Sequence, residues 1–372
     1  MSTFASLGIQ KGYVKSLKEL NITTPTAIQE KAIPVLLKSN TDFVGLAQTG
    51  TGKTAAFGLP VLHKIDTSKN EIQALILSPT RELVQQIKKQ LFKFTKHIDT
   101  QIFAEAIYGG EKIDKQLARL DRTTHIIVAT PGRLADFIKR GDINLKNVKT
   151  VVLDEADEML SMGFKQELDY ILKHTQGDRN TWLFSATMPA GIQQIVNNYM
   201  NPKAVHISVK KENQINENIS HSYIRTSING KLDMLMQVLE QRGEQRGIIF
   251  CKTKAGAQKL KEQLNEEGYA VDALEGNMKQ KERDKVMRAF KNESLQFLIS
   301  TDVAARGIDV HNLGFVIHHQ LPEHIEYYTH RSGRTARAGK KGDSIAFILP
   351  NEMEDIVRIQ KTLNITFQDR TL

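Results

Sequence analysis

The chain has 372 residues, a formal net charge of +9 and 40% hydrophobic residues. This length exceeds what one hydrophobic core usually organises, so it predicts two domains. No stretch of about 18 apolar residues could cross a bilayer, and the N-terminus lacks the basic and apolar regions of a secretory signal, so a cytoplasmic location is expected. Cys251 is the single cysteine, which excludes an intramolecular disulfide and a thiolate metal cluster and predicts a small core residue. The mildly basic balance suits a polyanionic partner without requiring one.

Two series of short apolar segments, bounded by turn residues and separated by helical patterns, run along the chain. Such segments are typical of buried parallel strands. The first series covers residues 43–47, 74–78, 125–130, 150–154 and 181–185, and the second covers 247–251, 269–274, 296–301, 315–319 and 344–349. The pattern predicts an α/β fold with two tandem, doubly wound parallel-sheet lobes.

The predicted lobes are residues 1–209 and 219–372, joined by a short linker. The linker is placed at residues 210–218 because that segment, KKENQINEN, is polar and has little apolar periodicity. In the second lobe, apolar residues at helical spacing predict helices over 254–267 and 281–291, with Gly268 at the C-terminal end of the first.

The most specific local motif is AQTGTGKT, which follows the first predicted strand and precedes a predicted helix. Gly50 and Gly52 allow backbone N–H groups to wrap phosphates, Lys53 offers a charge to the β and γ phosphates, and Thr54 is a ligand for Mg²⁺. The motif predicts an ATP-binding P-loop, although a glycine-rich turn before a helix is the alternative. The remaining predicted nucleotide-binding residues of this loop are Ala47, which stands where the strict pattern has glycine, and Gln48, Thr49 and Thr51.

Acidic residues follow the strand over residues 150–154, at the sheet edge where a P-loop fold binds its ligand. Asp154 is predicted to hold Mg²⁺ through water. Glu155 is predicted to orient and deprotonate the attacking water, because phosphoryl transfer depends on positioning and charge stabilisation. The alternative is an acidic helix start favoured by the helix dipole.

With its P-loop and the literal sequence Asp-Glu-Ala-Asp at 154–157, the chain resembles the DEAD-box ATP-dependent RNA helicases over nearly its whole length. The resemblance implies two RecA-like lobes, with ATP and Mg²⁺ as cofactors and RNA as partner.

The segment TPTAIQ, residues 24–29, is similar to the family's Q motif. It implies that Gln29 hydrogen-bonds adenine with both faces of its amide and that Phe4 stacks on the ring. Alternatively, Gln29 is an exposed helix residue and Phe4 a core residue.

Two further motifs are assigned by the same resemblance. Ser185 and Thr187, in Ser-Ala-Thr, match the motif that links the acidic residues to RNA binding, and they could also cap a helix. In the second lobe, HRSGRTAR over residues 330–337 resembles the family's arginine-rich motif. Arg334 and Arg337 are therefore candidate arginine fingers, which can contribute about 10³–10⁵ in rate. A basic solvated face is the alternative.

The segment STDVAARGID, residues 300–309, follows a predicted strand of the second lobe. By resemblance, Asp302 binds the ATP ribose and Thr301 touches an RNA phosphate. Asp309 supports the arginine-rich motif, and His330 belongs to the same coupling set. The chain differs from the family's usual motif sequences at two places: LEGN at 274–277 stands where many members have LHGD, and Ala336 stands where many have glycine.

The sequence contains no base-reading module, so recognition of the RNA backbone is expected. Hydroxyls, arginines and glycine amides grip phosphates and sugars without reading sequence. The resemblance assigns such contacts to Pro79, Thr80, Arg81, Gly109, Gly110, Thr130 and Arg133 in the first lobe, and to Gln280, Arg283 and Thr301 in the second.

The implied activity is ATP hydrolysis stimulated by RNA and coupled to local separation of short RNA duplexes, in a monomeric core with no membrane contact and with accessory proteins undefined. A DNA-directed helicase or translocase would share the P-loop and the arginine-rich motif. A non-enzymatic alternative is an ATP-gated clamp that holds RNA and turns over rarely. A small-molecule kinase would leave the second α/β lobe unexplained.

Overall fold

The computed structural model describes residues 2–48, 50–175, 177–209, 218–276, 278–305, 313–336 and 340–370. The chain divides into two compact units, Met1–Lys210 and Lys211–Leu372. The predicted site residues Thr49, Asp309 and Arg337 lie outside the described residues. Residues 210–217 of the predicted linker also lie outside them. Within the described ranges, no helix combines the length and the apolar character that a membrane span requires.

The first unit is built around a sheet of parallel strands. Its strands are β1 (Phe43–Leu46), β2 (Ala74–Leu77), β3 (Ala104–Ile107), β4 (Ile126–Ala129), β5 (Thr150–Asp154), β6 (Asn180–Ser185) and β7 (Val205–Ser208). Its helices are α1 (Lys11–Glu19), α2 (Ala27–Lys38), α3 (Lys53–His63), α4 (Arg81–Phe94), α5 (Ile113–Leu120), α6 (Pro131–Arg140), α7 (Ala156–Ser161), α8 (Lys165–His174) and α9 (Ala190–Tyr199). Among the described residues the sheet has seven strands in the order β3-β4-β2-β5-β6-β1-β7.

Helices cover both faces of this sheet, which is why its central strands are apolar at successive positions. In β2, for example, Ala74 and Ile76 join one hydrophobic cluster while Leu75 and Leu77 join the cluster on the opposite face. All four residues are buried. A strand buried on both faces loses the alternation of polar and apolar residues that marks a half-exposed strand.

The second unit repeats this architecture. Its strands are β8 (Ile219–Arg225), β9 (Gly247–Phe250), β10 (Val271–Leu274), β11 (Phe297–Ser300), β12 (Phe315–His318), β13 (Gly342–Ile348) and β14 (Phe367–Asp369). Its helices are α10 (Lys231–Gln241), α11 (Lys254–Glu266), α12 (Gln280–Lys291), α13 (Asp302–Ala305), α14 (Ile325–Ser332) and α15 (Met353–Leu363). In the described part of this unit, seven parallel strands follow the order β10-β11-β9-β12-β13-β8-β14.

The fold class predicted from the sequence is confirmed, since both sheets are parallel and doubly wound. Each predicted strand is present. Helices α11 and α12 occupy the predicted segments, Gly268 follows α11 with a φ of +85°, and Cys251 is fully buried. The sequence analysis missed the strands β3, β7, β8 and β14, of which β3, β7 and β14 lie at sheet edges.

The strand order of the first sheet sorts the predicted motifs into two groups at its carboxyl edge. The P-loop follows β1, Ser-Ala-Thr begins at the end of β6, and the acidic motif begins at the end of β5. The predicted RNA-contact motifs follow β2, β4 and β3. Because β1, β6 and β5 are neighbours and β2, β4 and β3 are neighbours, each group occupies one continuous half of the edge.

Candidate active site

The P-loop wraps from the end of β1 into the first turn of α3. Gly50 and Gly52 have φ values of +82° and +87°, a left-handed conformation that glycine adopts without steric cost. Helix α3 begins at Lys53, whose buried Nζ donates to the backbone oxygen of Ala47 at 3.0 Å. Thr54 follows in the first turn, half-buried. Backbone N–H groups at a helix N-terminus beside a lysine form a site for phosphate.

Gln29 connects the predicted Q motif directly to the P-loop. Its Oε1 accepts from the backbone N of Thr26 at 2.9 Å, and its Nε2 donates to the backbone oxygen of Gly52 at 3.0 Å. Thr26 adds a second link, because its Oγ1 donates to the backbone oxygen of Thr51 at 2.8 Å. An amide has two N–H donors and two acceptor positions, so Gln29 keeps one of each for a base. Its predicted contact with adenine is not tested by these bonds.

Phe4 lies in the hydrophobic core of the first unit, with 2% of its surface exposed. It belongs to the same cluster as Ile28 and Ala32 of α2, the helix that carries Gln29. The structure therefore places Phe4 close to the core side of the Q motif. Stacking of its ring on adenine stays a prediction.

Asp154 is the last residue of β5 and is buried. Burial raises its pKa to about 7, while the charge of Lys53 acts in the opposite direction. Among the described residues, its Oδ1 has no hydrogen-bond partner. A buried carboxylate oxygen without a partner is unfavourable unless a cation or a proton satisfies it.

The oxygen donors after β1 and at the end of β5 suit Mg²⁺. Carboxylate and hydroxyl oxygens, here from Asp154 and Thr54, are the ligand type that Mg²⁺ prefers. No group of three or more His, Cys, Asp or Glu residues in the described ranges could hold a metal by itself. This arrangement suits an ion that takes one or two protein oxygens and completes its shell with phosphates and water.

Glu155 adopts a left-handed conformation, with φ of +51° and ψ of +50°, immediately before α7. For a residue other than glycine this conformation is uncommon, and such strain is frequent at functional sites. The two consecutive acids therefore have different surroundings. Asp154 is buried at the end of a strand, whereas Glu155 is half-buried just before a helix.

Asp157 joins the acidic motif to Ser-Ala-Thr. Its Oδ2 accepts from the backbone N and from Oγ1 of Thr187, both at 2.8 Å. Its own backbone N donates to Oγ of Ser185 at 3.3 Å. The predicted coupling residues Ser185 and Thr187 thus both contact Asp157, Ser185 at its backbone N and Thr187 at its carboxylate. Asp157 was absent from the predicted site residues, although its place in the acidic motif was a usable signal.

The predicted RNA-contact residues of the first unit cluster at the ends of β2, β4 and β3. The buried Pro79 precedes Thr80, which caps α4 by accepting from the backbone N of Leu83 at 3.3 Å. Gly109 and Gly110 are exposed, and Gly110 has a φ of +84°. Thr130 is the residue before α6 and is buried.

Two residues that the sequence analysis did not single out position the arginines of this cluster. The guanidinium of Arg81 lies over the ring of Tyr108, 4.6 Å from its centroid. Arg133 donates to the backbone oxygen of Glu111 at 3.0 Å, and Arg119 forms a two-point pair with the Glu111 carboxylate at 3.1 and 2.7 Å. That pair with Arg119 lowers the pKa of Glu111. Contacts within the first unit therefore orient both arginines.

In the second unit, Asp302 forms a buried ion pair with Arg331. The Nε and Nη2 atoms of Arg331 donate to the two carboxylate oxygens at 2.5 and 2.7 Å, and Nη1 donates to the backbone oxygen of Gln320 at 2.8 Å. The guanidinium also lies over the ring of Phe250, 5.1 Å from its centroid. Arg331 was not predicted as a site residue, because sequence alone does not separate a buried arginine from its exposed neighbours.

The remaining predicted residues of the second unit lie on neighbouring elements. Thr301 is buried between β11 and α13. At the start of α12, Gln280 donates to Asp284 at 2.8 Å, and Arg283 donates to the backbone oxygen of Ala304 in α13 at 2.7 Å. Arg334 donates through Nε to the backbone oxygen of His330 at 3.3 Å. Their proposed contacts with RNA and nucleotide are not tested by these bonds.

Ala336 occupies the position where the resemblance expects glycine. Its φ of +54° is left-handed, which explains why glycine suits the position. Alanine tolerates this conformation at a cost of about 1–2 kcal/mol. The residue is buried against the core, where its methyl group contributes packing in return.

A left-handed glycine loop, a buried lysine and a buried carboxylate whose Oδ1 has no hydrogen-bond partner among the described residues lie at one sheet edge and define a P-loop nucleotide-binding protein. A profile of the DEAD/DEAH box helicases matches residues 26–195, and a profile of the helicase conserved C-terminal domain matches residues 230–339. The DEAD-box ATP-dependent RNA helicase CshA of Bacillus cereus is 42% identical over 97% of this chain and 68% of its own length. The chain belongs to the DEAD-box helicase family.

Two further comparisons extend this result. The CshA helicase of Geobacillus kaustophilus is 40% identical over 97% of this chain and 77% of its own length. Among solved structures, S. cerevisiae Dbp5 bound to RNA and ADP BeF3 is 30% identical and covers 100% of this chain and 96% of that chain, with a TM-score of 0.90. The tandem RecA-like fold expected from the sequence is therefore supported by sequence and by structure.

Proposed function

We propose that this chain hydrolyses ATP in a cycle stimulated by RNA and uses that cycle to separate short RNA duplexes locally. The observation that carries the proposal is Asp154, a buried carboxylate with a partnerless oxygen beside the P-loop lysine. Such a group is arranged for a cation that arrives with a nucleotide. The relatives at 42% and 40% identity are DEAD-box ATP-dependent RNA helicases.

In this proposal the nucleotide phosphates lie against the P-loop, from Ala47 through Gln48, Thr49, Gly50, Thr51 and Gly52 to Lys53 and Thr54. Gln29 hydrogen-bonds the adenine, Phe4 stacks on the adenine ring, and Asp302 contacts the ribose. Thr54 and Asp154 hold Mg²⁺, the aspartate through water; the bound ion neutralises phosphate charge. Glu155 orients the attacking water and accepts its proton.

The second unit contributes Arg334 and Arg337 as stabilisers of the charge that develops on the γ-phosphate. His330 and Asp309 position that arginine-rich segment. We infer that ATP and RNA binding favour one closed arrangement of the two units, so each ligand strengthens the binding of the other.

RNA is proposed to run along the half of the first sheet edge formed by β2, β4 and β3. Its sugar-phosphate backbone would contact Pro79, Thr80, Arg81, Gly109, Gly110, Thr130 and Arg133, continuing to Gln280, Arg283 and Thr301. Gly109 and Gly110 are exposed, which allows the RNA backbone to approach closely, and Arg81 and Arg133 are held by Tyr108 and Glu111.

Separation of a few base pairs requires several kcal/mol, since stacking in DNA contributes about 1.4 kcal/mol per step. The proposal includes a monomeric core and a cytoplasmic location.

ATP hydrolysis by the purified chain, measured with and without single-stranded RNA and in parallel with unwinding of a short RNA duplex, tests the proposal. Glu155→Gln should retain nucleotide binding and lose turnover by about 100-fold or more, as expected for loss of a general base. Glu266→Gln, exposed at the end of α11, is the matched control and should behave as wild type.

The same assays separate the alternatives. Equal stimulation by DNA and RNA strands would favour a DNA-directed enzyme, because only RNA presents 2′-hydroxyls. RNA that stays bound through many minutes of ATP exposure, with little hydrolysis, would favour a clamp. Absence of stimulation by any nucleic acid would overturn the proposal.

A further inference from the structure

A groove in the first unit lies between α4 and the edge strand β3. It encloses about 530 Å³, within the range of cavities that hold ligands. Its aliphatic lining includes Leu62, Leu91, Ile102, Ala104 and Ala106. None of these residues belongs to the nucleotide or RNA motifs described above.

Two aromatic side chains in the lining are exposed to solvent. Phe92 on α4 is 77% exposed, and Phe103 just before β3 is 43% exposed. In the described part of the first unit, these are the exposed large hydrophobic residues. Exposed apolar surface around a concavity marks an interaction site more often than isolated exposed side chains do.

The charged residues that line the groove are mostly basic. They are Lys88, Lys89 and Arg119 against one acid, Glu105. Lys88 pairs with Glu105 at 2.8 Å, and Arg119 pairs with Glu111 at 2.7 Å. Lys89 is exposed and makes no ion pair with any residue that the structure describes. An acidic ligand would therefore find a cation without first breaking an existing pair.

Strand β3 offers unpaired backbone groups beside the groove. Within the described ranges it pairs with β4 alone, because it is the last strand of the sheet. The backbone oxygens of Phe103 and Ile107 accept from the β4 side, at 3.1 Å from Ile126 and 2.9 Å from Thr130. Since successive peptide groups alternate in direction, those of Ala104 and Ala106 face the free edge. Extended peptides bind at such edges.

The groove is connected to the predicted RNA-contact residues through Tyr108. This residue lines the groove, accepts at its hydroxyl from Gln85 of α4 at 2.8 Å, and carries Arg81 over its ring. A ligand seated against Tyr108 and Gln85 therefore contacts the supports of Arg81.

We propose that the α4–β3 groove is a docking site for an extended acidic segment of a partner protein, with one aromatic or aliphatic side chain inserted between Phe92 and Phe103. The aliphatic floor and the free strand edge suit a peptide. A single-stranded RNA could stack on the exposed rings, but it is less suited because the Glu105 carboxylate lies in the lining and a nucleic acid does not pair with a strand edge. Docking itself does not depend on the function proposed above; its effect on Arg81 does.

Selection of a random twelve-residue peptide library displayed on phage against the full chain, without nucleotide or RNA, tests the proposal. Enriched peptides should combine an apolar anchor with neighbouring Asp or Glu. As synthetic labelled peptides they should bind Phe92→Ser and Lys89→Glu about 10-fold more weakly than wild type, the loss typical of an interface anchor. Ile228→Ser and Lys203→Glu are matched exposed controls outside the groove and should bind normally.

Enriched peptides that ignore both groove substitutions, or a selection that enriches no groove-dependent peptide, would overturn the proposal. Loss of oligouridine affinity in Phe92→Ser without loss of peptide binding would assign the groove to RNA instead. A groove-dependent peptide that changes the RNA concentration needed for half-maximal ATP hydrolysis would further support the link through Tyr108. Peptide binding by a chain that lacks RNA-stimulated hydrolysis would support docking while counting against the proposed function.

Discussion

The carboxylate of Asp157 accepts two hydrogen bonds from Thr187, one from the backbone N and one from Oγ1, each 2.8 Å long. The bonds join the segment after β5 to the segment after β6. Both bonds lie within the first unit. They tie the acidic motif directly to Ser-Ala-Thr at this point of the sheet edge.

Thr187→Val removes the Oγ1 bond, keeps the backbone bond and preserves side-chain shape. We expect it to lower the free energy of unfolding by about 1 kcal/mol, the usual net value of one hydrogen bond. RNA unwinding should fall several-fold more than ATP hydrolysis, because the nucleotide residues Lys53, Asp154 and Glu155 are untouched. Thr124→Val, whose Oγ1 donates to Arg122 at 3.1 Å before β4, is the control. Equal loss of both activities in Thr187→Val would contradict a coupling role.

The stability of the folded chain should depend on pH through the ionisation of Asp154. Burial raises the pKa of its carboxyl from the ordinary value of 3.8 to about 7. The folded chain thus holds this proton more tightly than the unfolded chain. The resulting stabilisation is complete below the unfolded pKa and is lost as the pH rises through about 7.

Asp154→Asn removes the buried charge, so without nucleotide the variant should unfold at a higher temperature than wild type at pH 8. A gain of about 1 kcal/mol corresponds to ~2–4 °C in a unit of this size. At pH 5 the difference should shrink, since the wild-type carboxyl is then protonated. Scanning calorimetry at both pH values measures this, with exposed Asp136→Asn as control. A lower melting temperature for Asp154→Asn at pH 8 would contradict the assignment.

Gly52→Ala tests the link between the P-loop and the Q motif. A Cβ at this position would approach Nε2 of Gln29 to 2.4 Å, and the φ of +87° already disfavours alanine. We expect kcat/KM for ATP to fall by about 100-fold, because a displacement of about 1 Å at a catalytic site has effects of this size.

Gly141→Ala separates backbone strain from that clash. Gly141 also has a left-handed φ, +77°, but a Cβ there would meet no atom within 4 Å. The Gly141→Ala substitution should lower the free energy of unfolding by about 1–2 kcal/mol and leave ATP hydrolysis unchanged. If both variants hydrolyse ATP at the same rate, the contact between Gln29 and Gly52 has no role in nucleotide handling.

Arg331→Lys tests the buried pair with Asp302. Lysine keeps the charge but cannot form the two-point contact, so the Asp302 carboxylate loses its fixed orientation. We expect the second unit to lose about 1–3 kcal/mol of stability, the size of a lost hydrogen bond to a charged group. If Asp302 contacts the ribose, KM for ATP should rise more than kcat falls.

Arg225→Lys is the matched control for that measurement. Arg225 pairs with Asp369 at 2.8 Å, but both side chains are about half exposed, at 62% and 48%. Exposed pairs contribute little because water and salt screen them, so this substitution should be nearly silent. Chemical denaturation of both variants, followed by steady-state kinetics at several ATP concentrations, makes the comparison. An unchanged KM in folded Arg331→Lys would argue against a ribose contact by Asp302.

The apolar strands and the loop motifs were predictable because each depends on local chemistry. Segments such as ALILS carry a continuous apolar run, and a P-loop needs glycines, lysine and a hydroxyl at fixed spacing. The edge strand β7 alternates half-buried with exposed residues, and β8 buries polar side chains such as His221 and Ser222, so neither shows that run.

The supports of the site were harder to predict because they join distant parts of the chain. Arg331 and Asp302 are adjacent only after α14 packs against β12, and Tyr108 meets Arg81 only through the packing of α4 on β3. Thr26 was not predicted either, although a signal was present: the Thr-x-x-Gln spacing is a capping signature that places Thr26 beside Gln29.

The two halves of the first sheet edge meet at one strand pair, β2 with β5, where Leu77 lies beside Leu153. The next residues, Ser78 and Asp154, each carry a buried side-chain oxygen without a hydrogen-bond partner in the described chain. In a complete substitution scan of this unit, the type of functional defect should therefore depend on a residue's position in the sheet rather than on its position in the sequence. Phenotypes should change from RNA affinity to nucleotide turnover on crossing from Ser78 to Asp154, two neighbours that lie far apart along the chain.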